Sequence, residues 1–265
     1  MTKAIILGAG RGSRMGNLTE LIPKGMLQVY GKSLFEWQIQ ALQEAGITDI
    51  YIVKGYRGEA IPYTHVGYRE NPLWDSTNTF CSLVAASDLL VADDCVVSYA
   101  DIIYSAEAVR ALQRGTGDVR IIFDTNWLAL WQRRFENPLV DAETFSCNEN
   151  GTLAEIGARA ATVDQIQGQY MGLLHFTPKG WRQAERVSAP LPAEKLANLD
   201  MTSLLGLLLQ HDLEVSTVPY SRPWGEVDSL SDLVLLEENQ HLRLELRAAQ
   251  SELVNAIAAE GPPDE

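Results

Sequence analysis

A glycine-rich loop directly after the first apolar segment is the feature that most constrains this chain. Residues 4–7 form an apolar run with the length of a buried strand, and three of the next five residues are glycine. Glycine has no side chain, so successive backbone N–H groups in the loop can converge on an anion. Arg14 and Lys24 follow and supply positive charge. The pattern predicts a strand and then a loop that binds a triphosphate.

Two better-known nucleotide-binding loops do not match this one. The dinucleotide fingerprint Gly-x-Gly-x-x-Gly fails because its third glycine falls on Ser13 when counted from Gly8, and on Met15 when counted from Gly10. No Gly-x-x-x-x-Gly-Lys-Ser/Thr motif occurs either. These mismatches argue against NAD enzymes and P-loop NTPases. An ordinary glycine turn is the non-functional alternative, and the cationic residues beside the loop argue against it.

Composition limits the class of protein. The chain has 265 residues with 46% hydrophobic content, which suits one large α/β domain or two small ones with a sizeable core. Its formal net charge of −14 argues against binding to nucleic acid or to anionic membranes, since those partners attract basic surfaces. A phosphate-binding site in this chain must therefore be a local basic patch on an otherwise acidic protein.

Cysteine and histidine usage indicates a reducing compartment. Cys81, Cys95 and Cys147 are too scattered for a disulfide framework, and no Cys/His spacing matches a zinc site or a catalytic triad. The chain starts directly with a strand pattern and has no run of eighteen apolar residues. We expect a cytoplasmic protein with no membrane insertion.

Strand and helix patterns alternate along most of the chain. Helices are predicted at 34–45, 79–89, 106–113, 178–187 and 201–210, and further strands at 49–53, 63–68, 94–101, 119–123, 169–176 and 214–220. Ser33 and Ser229 are placed to cap helices. Such alternation predicts an α/β, doubly wound, mostly parallel sheet that is covered on both faces.

The alternation is interrupted between residues 124 and 168. This segment contains tryptophans, a basic pair and a probable hairpin around residues 148–151. We expect residues 124–176, which include the return strand, to form an excursion from the sheet and one wall of a pocket.

The C-terminal region has the pattern of one long helix over about residues 230–259. Leu235, Leu242, Ala249 and Ala256 recur at heptad spacing. This stripe fits either a homodimer seam or a helix that packs on its own domain. Residues 260–265, which include two prolines, are expected to be disordered.

The loop sequence carries a specific resemblance. Residues 7–16, Leu-Gly-Ala-Gly-Arg-Gly-Ser-Arg-Met-Gly, with Pro23-Lys24, resemble the signature of the sugar-nucleotide pyrophosphorylase-like nucleotidyltransferases. Further matches at 71–83, 98–101 and 225–228 resemble the phosphocholine and phosphonate cytidylyltransferase branch. The resemblance implies a Rossmann-like nucleotidyltransferase domain over residues 1–240, and the final helix lies outside it.

The resemblance implies transfer of a nucleotidyl group from an NTP to an anionic acceptor, with release of pyrophosphate. Such chemistry depends on positioning and charge neutralisation. Arg14 is then expected to stabilise the departing pyrophosphate, and Lys24 to lie between the α-phosphate and the acceptor. The loop residues implied to bind the nucleotide are Leu7, Gly8, Ala9, Gly10, Arg11, Gly12 and Ser13.

The resemblance also implies a Mg²⁺ cofactor, because phosphoryl oxygens require a hard cation. Asp101 and Asp228 match the two family positions for its ligands. For Asp228, a helix N-cap role is the alternative explanation. Asp94 and Glu226 are weaker substitutes.

Base recognition is assigned to polar side chains near the loop. Asn71, Thr77, Asn78 and Ser82 carry donors and acceptors that suit the edge of cytosine. The family branch favours CTP, whereas the side chains alone fit cytosine and uracil equally. Helix capping or packing is the structural alternative for Thr77 and Ser82.

The acceptor pocket is expected in the excursion. An aromatic wall of Trp127, Trp131 and Tyr170 suits a quaternary ammonium group, and Arg133 or Arg134 suits a phosphate or phosphonate. Plain packing is the alternative for the aromatic residues. An acceptor with an amino or hydroxyl group could instead bind the side chains of Glu155, Gln169 and Asp200.

The preferred interpretation is a Mg²⁺-dependent cytidylyltransferase that uses CTP and a small phosphorylated or phosphonate acceptor, of the phosphocholine or 2-aminoethylphosphonate kind. A phosphorylated amide also fits. The alternatives are a hexose-1-phosphate nucleotidyltransferase that makes an NDP-sugar, and a non-catalytic nucleotide-binding scaffold.

Overall fold

A computed structural model describes residues 1–247, in which seven strands form a central sheet and six short strands form three small ladders. The strands are β1 (Lys3–Gly8), β2 (Gln28–Val29), β3 (Lys32–Ser33), β4 (Ile50–Lys54), β5 (Gly67–Glu70), β6 (Cys95–Tyr99), β7 (Ile102–Ile103), β8 (Val119–Asp124), β9 (Glu143–Cys147), β10 (Leu153–Arg159), β11 (Gln169–Phe176), β12 (Ser216–Tyr220) and β13 (Gly225–Glu226). The helices are α1 (Leu34–Glu44), α2 (Thr79–Val84), α3 (Ser87–Ala92), α4 (Ala106–Arg114), α5 (Trp127–Arg134), α6 (Pro178–Ser188), α7 (Ala193–Ala197), α8 (Met201–Gln210) and α9 (Leu230–Glu238), and residues 240–247 are also helical.

The central sheet has the order β12-β8-β11-β6-β1-β4-β5. Every neighbouring pair is parallel except the two that involve β11, which runs antiparallel to β6 and β8. This arrangement confirms the predicted doubly wound, mostly parallel sheet. None of the helices in residues 1–247 combines the length and apolar composition that crossing a bilayer requires.

Strand β1 explains why the sheet needs cover on both faces. Its successive side chains point to opposite sides, so Ala4 and Ile6 join one core cluster and Ile5 and Leu7 join the other. All four are buried. A strand that is apolar on both faces is the sequence signature of the interior of such a sheet, and β1 lies there between β6 and β4.

The antiparallel strand β11 brings part of the excursion to the functional edge of the sheet. Gln169 and Tyr170, at the start of β11, pair with Asp124 and Phe123, at the end of β8. They therefore lie at the edge where the parallel strands end, which is where ligands bind in sheets of this kind. The excursion itself contains α5 and the antiparallel hairpin β9–β10, so the predicted hairpin is confirmed.

Two predicted elements differ from the structure. The single helix expected over 79–89 is two helices, α2 and α3, because the backbone leaves helical geometry at Ala86, where φ is −111° and ψ is 19°. Ser87, the first residue of α3, accepts a hydrogen bond from Trp181 Nε1 of α6 at 2.9 Å. The short strand expected over 63–68 lies at Gly67–Glu70. The caps predicted at Ser33 and Ser229 are confirmed, and both form capping boxes.

The C-terminal region is not one continuous helix. The backbone leaves helical geometry at Asn239, whose side-chain oxygen accepts a hydrogen bond from the Leu242 amide at 3.1 Å and so caps the next helical segment. Leu242 and Leu246 are buried in a cluster with Trp37 of the same chain. In this part the stripe packs on its own domain. The rest of the predicted heptad pattern and the tail at 260–265 lie outside the described residues, and the dimer seam stays a prediction.

A buried basic pair lies at the opposite edge of the sheet from the glycine loop. The Arg120 guanidinium donates to His175 Nδ1 at 2.5 Å, and Asp94 lies 3.7 Å from His175 Nε2. Burial, and then the charge of Arg120, lower the pKa of His175 to about 3. The folded protein therefore holds this imidazole neutral at every pH near neutrality.

We predict that His175 makes the free energy of unfolding depend on pH. The pKa of an unfolded histidine is about 6.5, so between pH 6.5 and pH 3 the unfolded state binds more protons and stability falls as pH falls. Wild-type protein should lose about 2 kcal/mol more than His175→Gln between pH 7 and pH 5. Urea unfolding at both pH values measures this difference. His211→Gln, at an exposed position, is the control and should follow wild type, and parallel profiles for wild type and His175→Gln would contradict the prediction.

Candidate active site

A cleft of about 500 Å³ opens where β1 and β6 end. Its lining comes from the glycine loop, the start of α2, the turn after β6 and the segment after β13. The predicted site residues that it brings together are Leu7, Gly8, Ala9, Gly10, Gly12, Arg14, Lys24, Thr77, Asn78, Ser82, Asp101, Asp200 and Asp228. The cleft thus brings together residues that are far apart in the sequence, since Leu7 and Asp228 are separated by 221 positions.

The glycine loop has the backbone geometry that the sequence predicts. Gly12 has φ of 66°, in the left-handed region, and a Cβ atom there would lie 3.0 Å from the Lys24 side chain. Glycine at this position therefore lets the Lys24 side chain cross directly over the loop. Arg11 and Ser13 are exposed, and the Arg11 guanidinium lies over the Tyr56 ring at 5.5 Å, outside the residues that line the cleft.

Lys24 is the central charge of the cleft. Its ammonium nitrogen Nζ lies 2.7 Å from Asp101 Oδ2 and 2.8 Å from Asp228 Oδ1, and Arg14 Nη2 is also 2.8 Å from Asp228 Oδ1. Burial alone would lower the pKa of Lys24, but the charges of the two carboxylates outweigh it and the pKa lies above its ordinary value. Lys24 is therefore a permanent cation. It is also a largely buried cation, because its side chain is only 10% exposed.

A small ladder brings Asp101 and Asp228 together. Strand β13 pairs antiparallel with β7, which follows Asp101 directly, and the Val227 amide donates to the Asp101 carbonyl at 2.9 Å. The two aspartates flank this ladder at the same end. Ser229 is the N-cap of α9, so the alternative explanation of Asp228 as that cap does not apply.

Three carboxylates form a candidate metal centre. Asp101, Glu226 and Asp228 each place one oxygen within 4.8 Å of the others. Among the described residues, Asp101 Oδ1 is buried and has no hydrogen-bond partner. An oxygen-only donor set with one unused buried oxygen fits a hard divalent cation such as Mg²⁺. Asp94, named as a substitute ligand, lies beside His175 at the opposite edge of the sheet and does not belong to this centre.

Two of the three carboxylates, Glu226 and Asp228, have pKa values that are shifted in opposite directions. Burial raises the pKa of Glu226, and the neighbouring charge of Asp228 raises it further. Burial would also raise the pKa of Asp228, but Lys24 and Arg14 overcome that effect and hold it below its usual range. The site therefore presents one strongly ionised carboxylate beside one that resists ionisation.

The predicted base-reading residues form a connected network. Asn71 Nδ2 donates to Thr77 Oγ1 at 3.0 Å and to Ser82 Oγ at 3.1 Å, and Asn71 is itself 5% exposed. Thr77, Ser82 and Asn78 line the cleft, whereas Asn71 lies behind the two hydroxyls and fixes them. Asn78 also caps α2 by accepting a hydrogen bond from the Thr79 amide at 2.8 Å.

A second cavity of about 190 Å³ adjoins the cleft and shares Arg14, Glu226 and Asp228 with it. Tyr170 and Trp131, two of the predicted acceptor residues, line this cavity. The Tyr170 ring packs edge-on against Tyr99 at 6.0 Å. Further lining groups are Asp141, Glu143, Gln169, Thr202 and Trp224. The cavity combines aromatic surface with carboxylates.

Three predicted acceptor residues are placed elsewhere. Trp127 is 4% exposed in the core, and its Nε1 donates to the Ile166 carbonyl at 3.3 Å. Arg133 is exposed on a different surface, beside Arg222 and His241. Arg134 is 1% exposed and its guanidinium is paired with Glu226, Asp228 and Asp232. Trp127, Arg133 and Arg134 line neither the cleft nor the second cavity, and acceptor binding by these residues stays a prediction.

Glu155 and Asp200 have different environments. Glu155 is exposed on β10 and lines neither cavity, whereas Asp200 lines the cleft and also caps α8 by accepting from the Ser203 amide at 2.7 Å.

The sequence interpretation missed Glu143, which lines both cavities. Burial, and then the charges of Asp200 and Asp141, raise the pKa of Glu143. No motif surrounds this residue, and only its place at the start of the predicted hairpin would have drawn attention to it.

We predict that Lys24→Met destabilises the protein by about 3 kcal/mol or more in the presence of a chelator, because it leaves the Asp101 carboxylate without its cation beside Glu226 and removes one of the three cations that contact Asp228. Mg²⁺ should then raise the melting temperature of the variant more than that of wild type. Thermal melts with chelator and with Mg²⁺ measure both effects. Lys179→Met removes an ion-paired lysine on the surface and should show neither effect. Equal Mg²⁺ responses in wild type and Lys24→Met would count against a metal centre at these carboxylates.

Comparison with known proteins agrees with this geometry. The model of the MobA-like NTP transferase domain matches residues 4–141. The CTP:phosphoglutamine cytidylyltransferase of Campylobacter jejuni is 33% identical over 246 residues, covering 87% of this chain and 97% of that protein. The choline-phosphate cytidylyltransferase of Streptococcus pneumoniae is 41% identical over 92 residues, covering 33% of this chain and 40% of that protein.

A solved structure of the CTP:phosphocholine cytidylyltransferase from Streptococcus pneumoniae superimposes with a TM-score of 0.67 at 24% identity, covering 89% of this chain and 98% of that one. At this identity the likeness supports the fold, and the nucleotidyltransferase assignment rests on the sequence matches. This chain belongs to the MobA-like NTP transferase domain family.

Proposed function

We propose that this protein is a cytidylyltransferase that transfers CMP from CTP to a small phosphorylated or phosphonate acceptor and releases pyrophosphate. The observation that carries the proposal is the convergence of Arg14, Lys24, Asp101 and Asp228 beside the glycine loop. Similarity to the Campylobacter jejuni enzyme over nearly its whole length supports the nucleotide and the acceptor class.

The proposed reaction is an in-line displacement. An oxygen of the acceptor's phosphate or phosphonate attacks the α-phosphorus of CTP, the bond to the β-phosphate oxygen breaks, and pyrophosphate leaves. Backbone amides of Gly8–Ser13 hold the triphosphate, Arg14 takes the charge of the leaving pyrophosphate, and Lys24 bridges the α-phosphate and the acceptor. Arg14 is 68% exposed at its side chain, so it is free to swing onto a phosphate.

Asp101, Asp228 and Glu226 are the residues that would hold Mg²⁺, which supplies neutralisation of phosphate charge when bound. Mg²⁺ can bind these carboxylates only if Lys24 moves away from them. The Oδ1 oxygen of Asp228 is otherwise occupied, because both Lys24 and Arg14 contact it. Phosphates of CTP offer Lys24 and Arg14 an alternative set of anions.

Base selection is assigned to the pocket beside Ala9. The hydroxyls of Thr77 and Ser82, held by Asn71, face the cleft together with Asn78. The Thr77 hydroxyl already donates to the Leu73 carbonyl at 2.6 Å, so it can only accept from a base edge, whereas the Ser82 hydroxyl can also donate. Because both hydroxyls are already held in place, binding costs them little further rotamer freedom.

The second cavity is assigned to the acceptor. Its volume of about 190 Å³ suits an acceptor with a short carbon chain. Its carboxylates at Asp141, Glu143 and Glu226 suit a nitrogen-containing group that donates hydrogen bonds or carries positive charge. Aromatic surface from Tyr170 and Trp224 suits the apolar part of such a group. This lining fits an amine, a quaternary ammonium or an amide.

We infer a cytoplasmic site of action, since CTP is a cytoplasmic metabolite and Cys81, Cys95 and Cys147 are free thiols. A hexose-1-phosphate acceptor is less favoured than a nitrogen-bearing one. A non-catalytic scaffold is also less favoured, because every charged group that the reaction needs is present in the cleft.

The test is a screen of pyrophosphate release. We expect turnover with CTP and with one or more of phosphocholine, 2-aminoethylphosphonate and phosphoglutamine, and little with UTP or with glucose 1-phosphate. Coupled phosphate detection measures each pair of nucleotide and acceptor. Turnover confined to sugar phosphates would contradict the acceptor assignment, and no pyrophosphate release with any pair would contradict the enzymatic function.

We predict that Glu143→Gln raises the KM for the acceptor by about tenfold, as expected for loss of one charge-assisted contact worth about 1.4 kcal/mol, and leaves the KM for CTP within about twofold. Steady-state kinetics with each substrate varied in turn measure the two constants. Glu155→Gln, the same change on the exposed face of the hairpin, is the matched control and should behave as wild type. A larger effect on CTP than on the acceptor would contradict this assignment.

A further inference from the structure

A groove beside helix α5 carries positive charge that the proposed reaction does not use. Its volume is about 270 Å³. The exposed side chains of Arg133, Arg222 and His241 line it together with the more buried Leu130, Pro223 and Trp224. Of the residues that line this groove, Trp224 alone also lines the second cavity, and none lines the cleft. We call this surface the α5 groove.

The basic side chains of the α5 groove are available to a ligand. Among residues 1–247, neither Arg133 nor His241 has a salt-bridge partner. Arg222 pairs with Glu245 through Nη1 at 3.0 Å, and its side chain is 58% exposed. Guanidinium groups present several N–H donors in a plane, which matches the oxygens of a phosphate. The groove therefore has the donors for an anion already at its surface.

The one carboxylate of the groove does little to offset this charge. Asp124 is 3% exposed, and both of its oxygens are occupied. Its Oδ1 accepts from the Asn126 amide at 2.7 Å, and its Oδ2 accepts from Trp224 Nε1 at 2.9 Å. Burial raises the pKa of Asp124, which disfavours its charged form. The α5 groove is consequently a second local basic patch on a chain with net charge −14.

The start of a helix adds to the attraction for an anion. Asn239 lines the groove and caps the helical segment 240–247, because its side-chain oxygen accepts from the Leu242 amide. Backbone N–H groups in the first turn of a helix have no partner within the helix and carry partial positive charge. This contribution supports the three basic side chains and does not replace them.

The inner part of the groove is apolar. Leu130 and Pro223 are half-buried there, beside the buried ring of Trp224. An inorganic anion alone would leave this surface in contact with water, whereas an apolar group attached to the anion would cover it. The lining therefore fits an organic phosphate whose apolar part is about the size of one ring.

Helix α5 connects the groove to the second cavity. Leu130 and Arg133 lie on the face of α5 that lines the groove, and Trp131, on a different face, lines the second cavity. The ring centroids of Trp131 and Trp224 are 6.3 Å apart. Trp224 also directly precedes β13, which carries Glu226 into the second cavity. A ligand that contacts Trp224 in the groove therefore acts on a wall of the second cavity.

We propose that the α5 groove is a second ligand site, which binds a small organic phosphate and couples that binding to the second cavity through Trp224. The phosphate meets Arg133, Arg222 and His241, and the apolar part lies against Trp224. The site itself is independent of the proposed function, whereas the effect on the acceptor rests on it. Such a ligand regulates acceptor binding without entering the cleft.

Phenyl phosphate is the probe, because it combines a phosphate with one apolar ring. Isothermal titration calorimetry on the full chain measures its dissociation constant. We expect saturable binding to wild type and an increase of about tenfold or more in the dissociation constant of Arg222→Glu, as for loss of a charge-assisted contact. Arg133→Glu should show an increase of the same order, and it breaks no ion pair within residues 1–247.

The matched control is Arg182→Glu. It makes the same charge reversal at an exposed arginine of α6 that does not line the groove. It should keep the wild-type dissociation constant for phenyl phosphate. Circular dichroism melts of all three variants show whether each is folded, and the two groove variants test the site separately.

Steady-state kinetics measure the coupling. We expect saturating phenyl phosphate to change the KM for the acceptor by about fivefold or more in wild type, and this change should disappear in Arg222→Glu. Direct competition for the second cavity would persist in Arg222→Glu, because Arg222 does not line that cavity.

The outcomes separate this inference from the proposed function. Absence of binding to wild type, or equal dissociation constants in wild type and the folded groove variants, would overturn the site. Binding that both variants weaken, with no change in the KM for the acceptor, would overturn the coupling. Absence of turnover with any acceptor would contradict the proposed function, while the calorimetry still decides whether the groove binds an organic phosphate.

Discussion

The ammonium group of Lys24, held between Asp101 and Asp228, is the interaction on which the site depends. Three carboxylates within 4.8 Å of one another repel, and a chain with net charge −14 has little positive charge to spare. Lys24 and Arg14 on one side, and Arg134 on the other, make this cluster compatible with folding. The same arrangement sets the condition for ligand binding. Under the proposed function, a triphosphate with a divalent cation would exchange partners with Lys24 and Arg14, because it brings both the anions that they need and the cation that the carboxylates need.

Topology explains why such distant residues meet. Strands β1 and β6 are neighbours, so the glycine loop and the turn containing Asp101 leave the sheet side by side. The ladder of β7 with β13 then returns the chain from its far end to the same place. Strand β11 runs antiparallel and contributes Gln169 and Tyr170 to the same edge. The cleft is consequently the meeting point of distant parts of the sequence, and the small ladder β7–β13 has a larger effect on the site than its length suggests.

Much of this was predictable, and the reason differs from residue to residue. The glycines and the cations that follow them predict an anion-binding loop, whereas Asp101 and Asp228 were identified because they match positions of the family that the loop resembles. Alternating apolar patterns predict β1 and the helices beside it. The three ion pairs of Arg134 could not be predicted, because a sequence does not show whether an arginine faces a ligand or carboxylates of its own chain. Asn71 was read as contacting the base, although its amide supports Thr77 and Ser82. Glu143 has no motif, and its importance arises only where two cavities meet.

The division of labour among the cations follows from their exposure. Arg14, at 68% side-chain exposure, retains the rotamer freedom to follow a leaving phosphate, whereas Arg134, at 1%, has none. The side-chain exposure of Lys24 lies between these two values. Its side chain passes close over position 12, where glycine leaves room for it. Exposure therefore separates one solvent-exposed cation, one largely buried cation and one fully buried cation. All three contact Asp228, and this single carboxylate consequently joins the glycine-loop side of the cleft to helix α5.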